Sequence, residues 1–428
     1  MPERMIVETS PAQSNASAGD SGPALSPESP VRAGMARWRG SVIAGFWTWF
    51  ASLLAYALVT YLSWIPYYQV PSRSGPPPAS LPSVLELWHQ WDTNWYVIIA
   101  TSGYEWAPTQ APAFYPLYPG LVRILNPVLP GDALLAALTV SAACALAALI
   151  LLHRLALDVF GETGGSDARR AIFYLMAFPA GFYLIAGYTE SLFIALSVAS
   201  LYCMRHQRWW WAGGIAAFAT ATRATGAMLA FAFAFEYLRQ TGAFRDPKRL
   251  ARIRWNASAI CLVPVGILSY AAYCWHKFGD PLVFVKAQEH WGRKGFTPPW
   301  ESLARTVAEI VRADSIFSHN AHHFMNLGAA LGALLLVALA VFGPWKLGEE
   351  NLYLAVFSFL MVLVPLSSPL ATSYPLGSMI RYVLPCLSAV LVLAKMGRNV
   401  HFDRVFVAAA MMAQGVLLLA FLHDQFVA

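Results

Sequence analysis

Four polar groups stand out in a chain that has few of them: Trp91-Asp92, Tyr188-Thr189-Glu190, Arg223 in TATRATGA, and Arg381-Tyr382 in SMIRYVLP. Each falls at the end of an apolar run. Asp92 lies in the aromatic segment HQWDTNWY, where a carboxylate could take a proton from a sugar hydroxyl. The same residue would also serve as a plain helix-start charge or cap. Glu190 opens GYTESLF, again a favourable place for an acid at a helix start. That reading does not explain why it falls on the same side of the chain as Asp92. Arg223 at membrane depth would cost about 2.5–3.5 kcal/mol if left alone. It needs a carboxylate, such as Glu190 or Asp92, or a phosphate, which its planar fork fits well. Arg381 is a second phosphate candidate, or an interface anchor.

A polar stretch near 276–323 adds His276, Lys277, His290, Arg293, Lys294, His319, His322 and His323. Its basic surface suits an anionic lipid headgroup. The spacing HNAHH could put imidazoles on one helical face, but no nearby carboxylate completes a metal pattern, and no metal is expected. The five cysteines lie in or beside apolar runs without close pairing and read as core fillers. Walker, dinucleotide and DxD-type motifs are all missing, which removes a soluble nucleotide-sugar site. No cofactor is expected. An activated substrate would have to arrive on a membrane-borne carrier.

The elements that must position these residues are helices in lipid. The chain is 57% hydrophobic and 12% charged, against about 25% charged in soluble domains. Apolar runs fall near 42–66, 133–153, 170–187, 190–204, 210–222, 226–238, 257–275, 324–343, 350–366, 380–395 and 404–423. Counted together they predict an all-α, polytopic bundle of about ten or eleven membrane segments. Several are shorter than the ~20 residues of a full crossing, which points to broken or tilted helices around a cavity.

Short basic loops around Arg37, Arg154, Arg169, Arg205, Arg208 and 245–254 mark the cytoplasmic side. The net charge of +6 is therefore a topology signal, and no nucleic-acid partner is expected. Alternation places the N-terminus inside the cell membrane. It puts the outer loops near 67–132 and 276–323 outside, with Asp92, Glu190, Arg223 and Arg381 on their side. Residues 1–34, rich in Pro, Ser, Ala and Gly, read as a disordered cytoplasmic tail ahead of one transmembrane domain, 35–428. Segment 84–100 reads as an interfacial helix anchored by Trp88, Trp91, Trp95 and Tyr96. Segment 114–129 reads as a surface or re-entrant piece.

Taken together, HQWDTNWYVIIATSGYEW, APAFYPLYPGLVRIL, FPAGFYLIAGYTESLF, ATATRATGAM and SMIRYVLP resemble the PIG-V-like membrane mannosyltransferases. The likeness runs from about 40 to 400. The resemblance implies the polytopic GT-C fold and a polyprenyl-phosphate-linked mannose donor. The eukaryotic member adds the second mannose of the glycosylphosphatidylinositol precursor in the endoplasmic reticulum lumen. By similarity Asp92 is the catalytic carboxylate, and Glu190, Arg223 and Arg381 match the family's outer-face polar positions. We assign Arg223 and Arg381 to the donor phosphate. Glu190, Tyr188, Trp91, Tyr382 and His276 are assigned to the acceptor or its supporting network. The partners implied are membrane lipids, the carrier-linked donor and a glycolipid or glycan acceptor. A transporter or flippase of a lipid-linked substrate, and a non-catalytic envelope scaffold, are the rival readings. A flippase would need access from both faces, whereas here the polar residues gather on one.

Overall fold

The computed structural model describes residues 30–67, 80–293, 295–313 and 320–427. Residues 1–29 of the expected tail, Lys294 and His319 lie outside them. Residues 30–34 already form the first turn of the helix Pro30–Leu62. The described residues are helical, with a lone bridge between Arg293 and Leu370 as their only β pairing.

Every apolar run becomes helix, but in unequal lengths. Five helices are long and apolar enough to cross a membrane: Trp38–Leu62, Ala133–Phe160, Asn320–Val341, Glu349–Leu366 and Val400–Leu422. Trp255–Leu262 with Val265–Phe278, bent by 42°, makes a sixth if counted as one span. Gly165–Ala177, Glu190–Arg205, Trp209–Thr222, Leu229–Thr241 and Leu387–Met396 are shorter, at 10 to 16 residues. This is a multi-pass membrane architecture in which only about half of the expected segments reach full crossing length.

The breaks have local causes. The helix Gly165–Ala177 stops before Pro179, which has no N–H to carry it on. The freed carbonyls are not left bare in the apolar interior. Gln414 Nε2 donates to the carbonyls of Met176 and Phe178, both at 2.7 Å, and Tyr56 donates to Met176 at 3.0 Å. Such repair makes non-helical backbone tolerable at membrane depth. The helix Ala133–Phe160 starts cleanly because the Asp132 side chain accepts from the Leu135 N–H at 3.1 Å. Its buried alanines, among them Ala136, Ala137, Ala145, Ala148 and Ala156, let neighbours approach closely.

Cross-links between helices define two ends. At one end Asp158 meets His206 at 2.8 Å, Asp167 meets Arg398 at 2.5 Å, and Arg245 meets Glu349 at 3.2 Å. At the other end lie Asp92, Tyr188, Glu190, Arg223 and Arg381. The helix Glu190–Arg205 descends from this end, and Trp209–Thr222 returns to it. The segments expected outside are joined here as one cap: Gln288 donates to the Ala113 carbonyl and the Trp291 indole to that of Gln110, both at 3.4 Å, and Tyr270 of the helix Val265–Phe278 donates to the Pro112 carbonyl at 2.9 Å.

The cap corrects one expectation. Trp88 and Tyr96 do not anchor at a lipid interface, because both are buried. Trp88 packs on Tyr56 and Phe421, and its indole N–H donates to Thr60. Trp95 stacks on Phe114, with centroids 5.5 Å apart. These rings have one another to pack against, which removes more apolar surface from water than a headgroup layer would.

Candidate active site

Asp92 is the first residue of the helix Asp92–Ser102. Trp91 before it has φ 52°, a left-handed value costly for a bulky residue. The Asp92 carboxylate that follows reaches Arg381. The Asp92 backbone N–H donates to the Tyr188 hydroxyl at 3.3 Å. The turn carrying Tyr188 lies hard against this helix, and Gly187 permits it: a Cβ there would come within 2.5 Å of the Thr93 side chain. The Tyr188 carbonyl accepts from Ser141, which itself pairs with Tyr118.

Four charged groups converge. Asp92 Oδ2 accepts from Arg381 at 2.7 Å. Glu190 Oε1 accepts from Arg223 at 2.6 Å and lies 3.3 Å from Arg381 Nε. Arg223 also donates to the Thr189 hydroxyl at 3.3 Å. The Glu190 side chain is 2% exposed and that of Arg381 8%, while Asp92 keeps 27%. The cluster therefore has a sealed floor and one carboxylate at its mouth. Among the described residues Asp92 Oδ1 has no hydrogen-bond partner, and Glu190 Oε2 and Arg381 Nε are buried without one.

Arg223 and Arg381 are thus not bare anion ligands. Each is held by a carboxylate, because a guanidinium sealed from water needs an opposite charge. Aromatic faces complete their surroundings. Arg381 sits over Tyr183, Tyr188 and Tyr382 at 5.5, 5.1 and 5.3 Å, and Arg223 over Phe193 and Tyr382 at 5.9 and 5.5 Å. Arg381 lies on the short helix Met379–Tyr382, entered through Ser378 at φ 68°. Two of the four non-glycine residues with positive φ among the described residues, Trp91 and Ser378, thus lie within three residues before Asp92 and Arg381, where such strain tends to gather.

Of the remaining predicted residues, Tyr188 and Tyr382 join the cluster. Trp91 stands at its rim, 38% exposed, with its ring against Phe426 at 5.4 Å. His276 does not join: it is exposed near the end of Val265–Phe278, and no hydrogen bond or ion pair ties it to the cluster among the described residues. His322 and His323 pack against Tyr374. Among the described residues no three His, Cys, Asp or Glu side chains gather as a metal would need. Sequence reasoning missed Tyr183, gave Thr189 no role of its own, and named Arg293 only as part of a basic surface. Arg293 donates to the Tyr382 hydroxyl at 3.0 Å; its only sequence signal was its place in the basic stretch WGRKGF.

Comparison with known proteins agrees with the expected resemblance. The family described as Mannosyltransferase (PIG-V) matches residues 79–278, which include Asp92, Glu190 and Arg223. The GPI mannosyltransferase 2 of Yarrowia lipolytica is 33% identical over 100 residues, covering 23% of this chain and 28% of the yeast protein. The crystal structure of the apo oligosaccharyltransferase of Archaeoglobus fulgidus overlays 89% of this chain on 56% of its own, at TM-score 0.45 and 14% identity. The chain thus spans little more than a quarter of the yeast relative in matched sequence, and about half of the archaeal protein.

Proposed function

We propose, from the premise of kinship with the PIG-V mannosyltransferases over residues 79–278, that this chain is an inverting membrane glycosyltransferase of GT-C type. It moves mannose from a polyprenyl-phosphate-linked donor to a glycolipid or glycan acceptor on the non-cytoplasmic side of the cell membrane. The observation that carries the reading is the meeting of Asp92 and Arg381, 289 residues apart, beside Glu190 and Arg223.

Asp92 is the base. Its Oδ1, left without a hydrogen bond among the described residues, takes the proton of the acceptor hydroxyl as that oxygen attacks the anomeric carbon. Direct attack inverts the centre, so a β-linked donor gives an α-linked product. The bond from the anomeric carbon to the phosphate oxygen breaks, and its electron pair leaves with the phosphate. Once Asp92 is protonated, Arg381 loses an ionic partner and becomes free to pair with the departing phosphate. Glu190 keeps Arg223 and Arg381 in place throughout. The leaving group is a phosphomonoester, whose charge guanidiniums can meet.

The test is a transfer assay on purified protein in lipid nanodiscs, with a short-chain prenyl-phosphomannose and a panel of glycolipid and glycan acceptors. Mass spectrometry reads the products. Hexose transfer by the wild type that is lost in Asp92→Asn supports the reading. Equal transfer by both proteins removes Asp92 as the base.

A further inference from the structure

We propose that Arg293 is the residue that binds the donor's phosphate; this rests on the transfer reading above. The charges around Tyr382 are the starting point. Three guanidiniums surround its ring at nearly equal distance: Arg381 at 5.3 Å, Arg293 at 5.4 Å and Arg223 at 5.5 Å. Two carboxylates, Asp92 and Glu190, answer them, and both are committed to Arg223 and Arg381. Arg293 has no carboxylate partner among the described residues. It donates only to the Tyr382 hydroxyl at 3.0 Å and the Ser368 carbonyl at 2.5 Å. The rest of its fork is unused. The site therefore carries one positive charge in excess, and a half-buried guanidinium in that position calls for an anion.

Arg293 is also held where a ligand residue would be. Gly292 turns the chain at φ 79°. The Ala371 N–H then donates to the Gly292 carbonyl at 2.7 Å, Arg293 bridges Leu370, and the Thr297 N–H donates to the Ser367 carbonyl at 2.8 Å. This clasp fastens Gly292, Arg293 and Thr297 to 367–371, so Arg293 is held in place. Its position is fixed relative to Arg381, which follows in the same stretch of chain.

The excess charge matches the proposed donor. A sugar linked through one phosphate is a phosphodiester with one negative charge, and it brings the site to neutrality. During transfer the phosphate becomes a monoester and gains a charge, while Asp92 gains a proton and loses one. The sum stays at zero from substrate to product, so no step strands a charge in a medium that solvates it poorly. A diphosphate-linked donor would leave the bound site negative.

The test is direct binding, which needs no acceptor. Wild-type protein and Arg293→Gln in nanodiscs are titrated with short-chain prenyl-phosphomannose, with the phosphate-free prenyl mannoside, and with inorganic phosphate. We expect Arg293→Gln to weaken donor binding about 10–100-fold, the range of a lost hydrogen bond to a charged group. The mannoside should bind both proteins equally, and Arg293→Lys should recover part of the loss. Tyr382→Phe keeps the ring and removes only the hydroxyl that positions Arg293; a loss of about 3–10-fold is expected there. Unchanged donor affinity in Arg293→Gln, with the wild type binding donor more tightly than mannoside, overturns the inference and leaves the transfer reading standing. Inorganic phosphate that binds as tightly as the donor, and equally depends on Arg293, reduces the site to a free-anion site and overturns it. A wild type that does not distinguish donor from mannoside overturns both.

Discussion

Two ionic clusters, one at each end of the bundle, are built from the same residue types and differ in how completely they are closed. At the end away from Asp92, Asp167 accepts from Arg170 at Oδ1, 2.8 Å, and from Arg398 at Oδ2, 2.5 Å. Asp403 accepts from the Tyr174 hydroxyl at 2.5 Å and lies 3.6 Å from Arg170. Two acids meet two arginines, and both oxygens of the buried acid are used. At the other end two acids meet three arginines. Among the described residues Asp92 Oδ1 and the buried Glu190 Oε2 have no hydrogen-bond partner, and the buried Arg381 Nε lies 3.3 Å from Glu190 Oε1 without a hydrogen bond. The first cluster is a brace: it ties the helices Gly165–Ala177 and Val400–Leu422 to the turn at Arg398. The second keeps bonding capacity in reserve, and buried capacity without a partner is costly unless something uses it.

The contrast can be broken in descending order of effect. Asp92→Asn should lower transfer about 10²–10⁴-fold, the usual contribution of a positioned base; turnover near the wild-type rate would make the open cluster a second brace. Glu190→Gln leaves Arg223 without its acid and Arg381 with only one. Breaking a buried pair of this kind should cost about 3–5 kcal/mol, read as a drop in unfolding midpoint in detergent. A midpoint equal to wild type would mean that water reaches the floor of the site. Asp167→Asn should destabilise less, by about 1–2 kcal/mol, since the Arg398 side chain is 60% exposed and water can take over its charge. Its rate of transfer should not change. Reduced transfer at full occupancy of the folded state would show that the two ends are coupled. Ser378→Gly should stabilise by about 1 kcal/mol, because glycine carries no penalty at φ 68°. A loss of stability there would mean that the serine side chain holds the turn.

Much of the site was legible one residue at a time. Asp92, Glu190, Arg223 and Arg381 announce themselves because a charged residue at the end of an apolar run needs an explanation. Arg293 did not, since it sits in a stretch where basic residues are ordinary. His276 was drawn in by the same stretch and lies exposed near the end of its helix. Trp88 and Tyr96 were read as interface anchors because sequence cannot tell an aromatic ring that faces headgroups from one that faces other rings. Segment lengths misled in a similar way. Leu387–Met396 follows Pro385 and Cys386 and spans only 10 residues, although the run 380–395 is apolar throughout apart from Arg381, Tyr382, Ser388 and Lys395.

By itself the sequence determined the solvent. A chain with so little charge and such long apolar runs folds as helices in lipid, where each run must satisfy its own backbone. It also determined which end carries the unusual polar residues, because helices that pass back and forth return every second boundary to the same side. Only the tertiary structure decided who pairs with whom. Asp92 takes Arg381 and Glu190 takes Arg223 across separations of 289 and 33 residues. Such pairings depend on how the helices pack, and no local periodicity records them. The surplus guanidinium at Arg293 becomes visible only when the three arginines around the Tyr382 ring are counted against the two carboxylates.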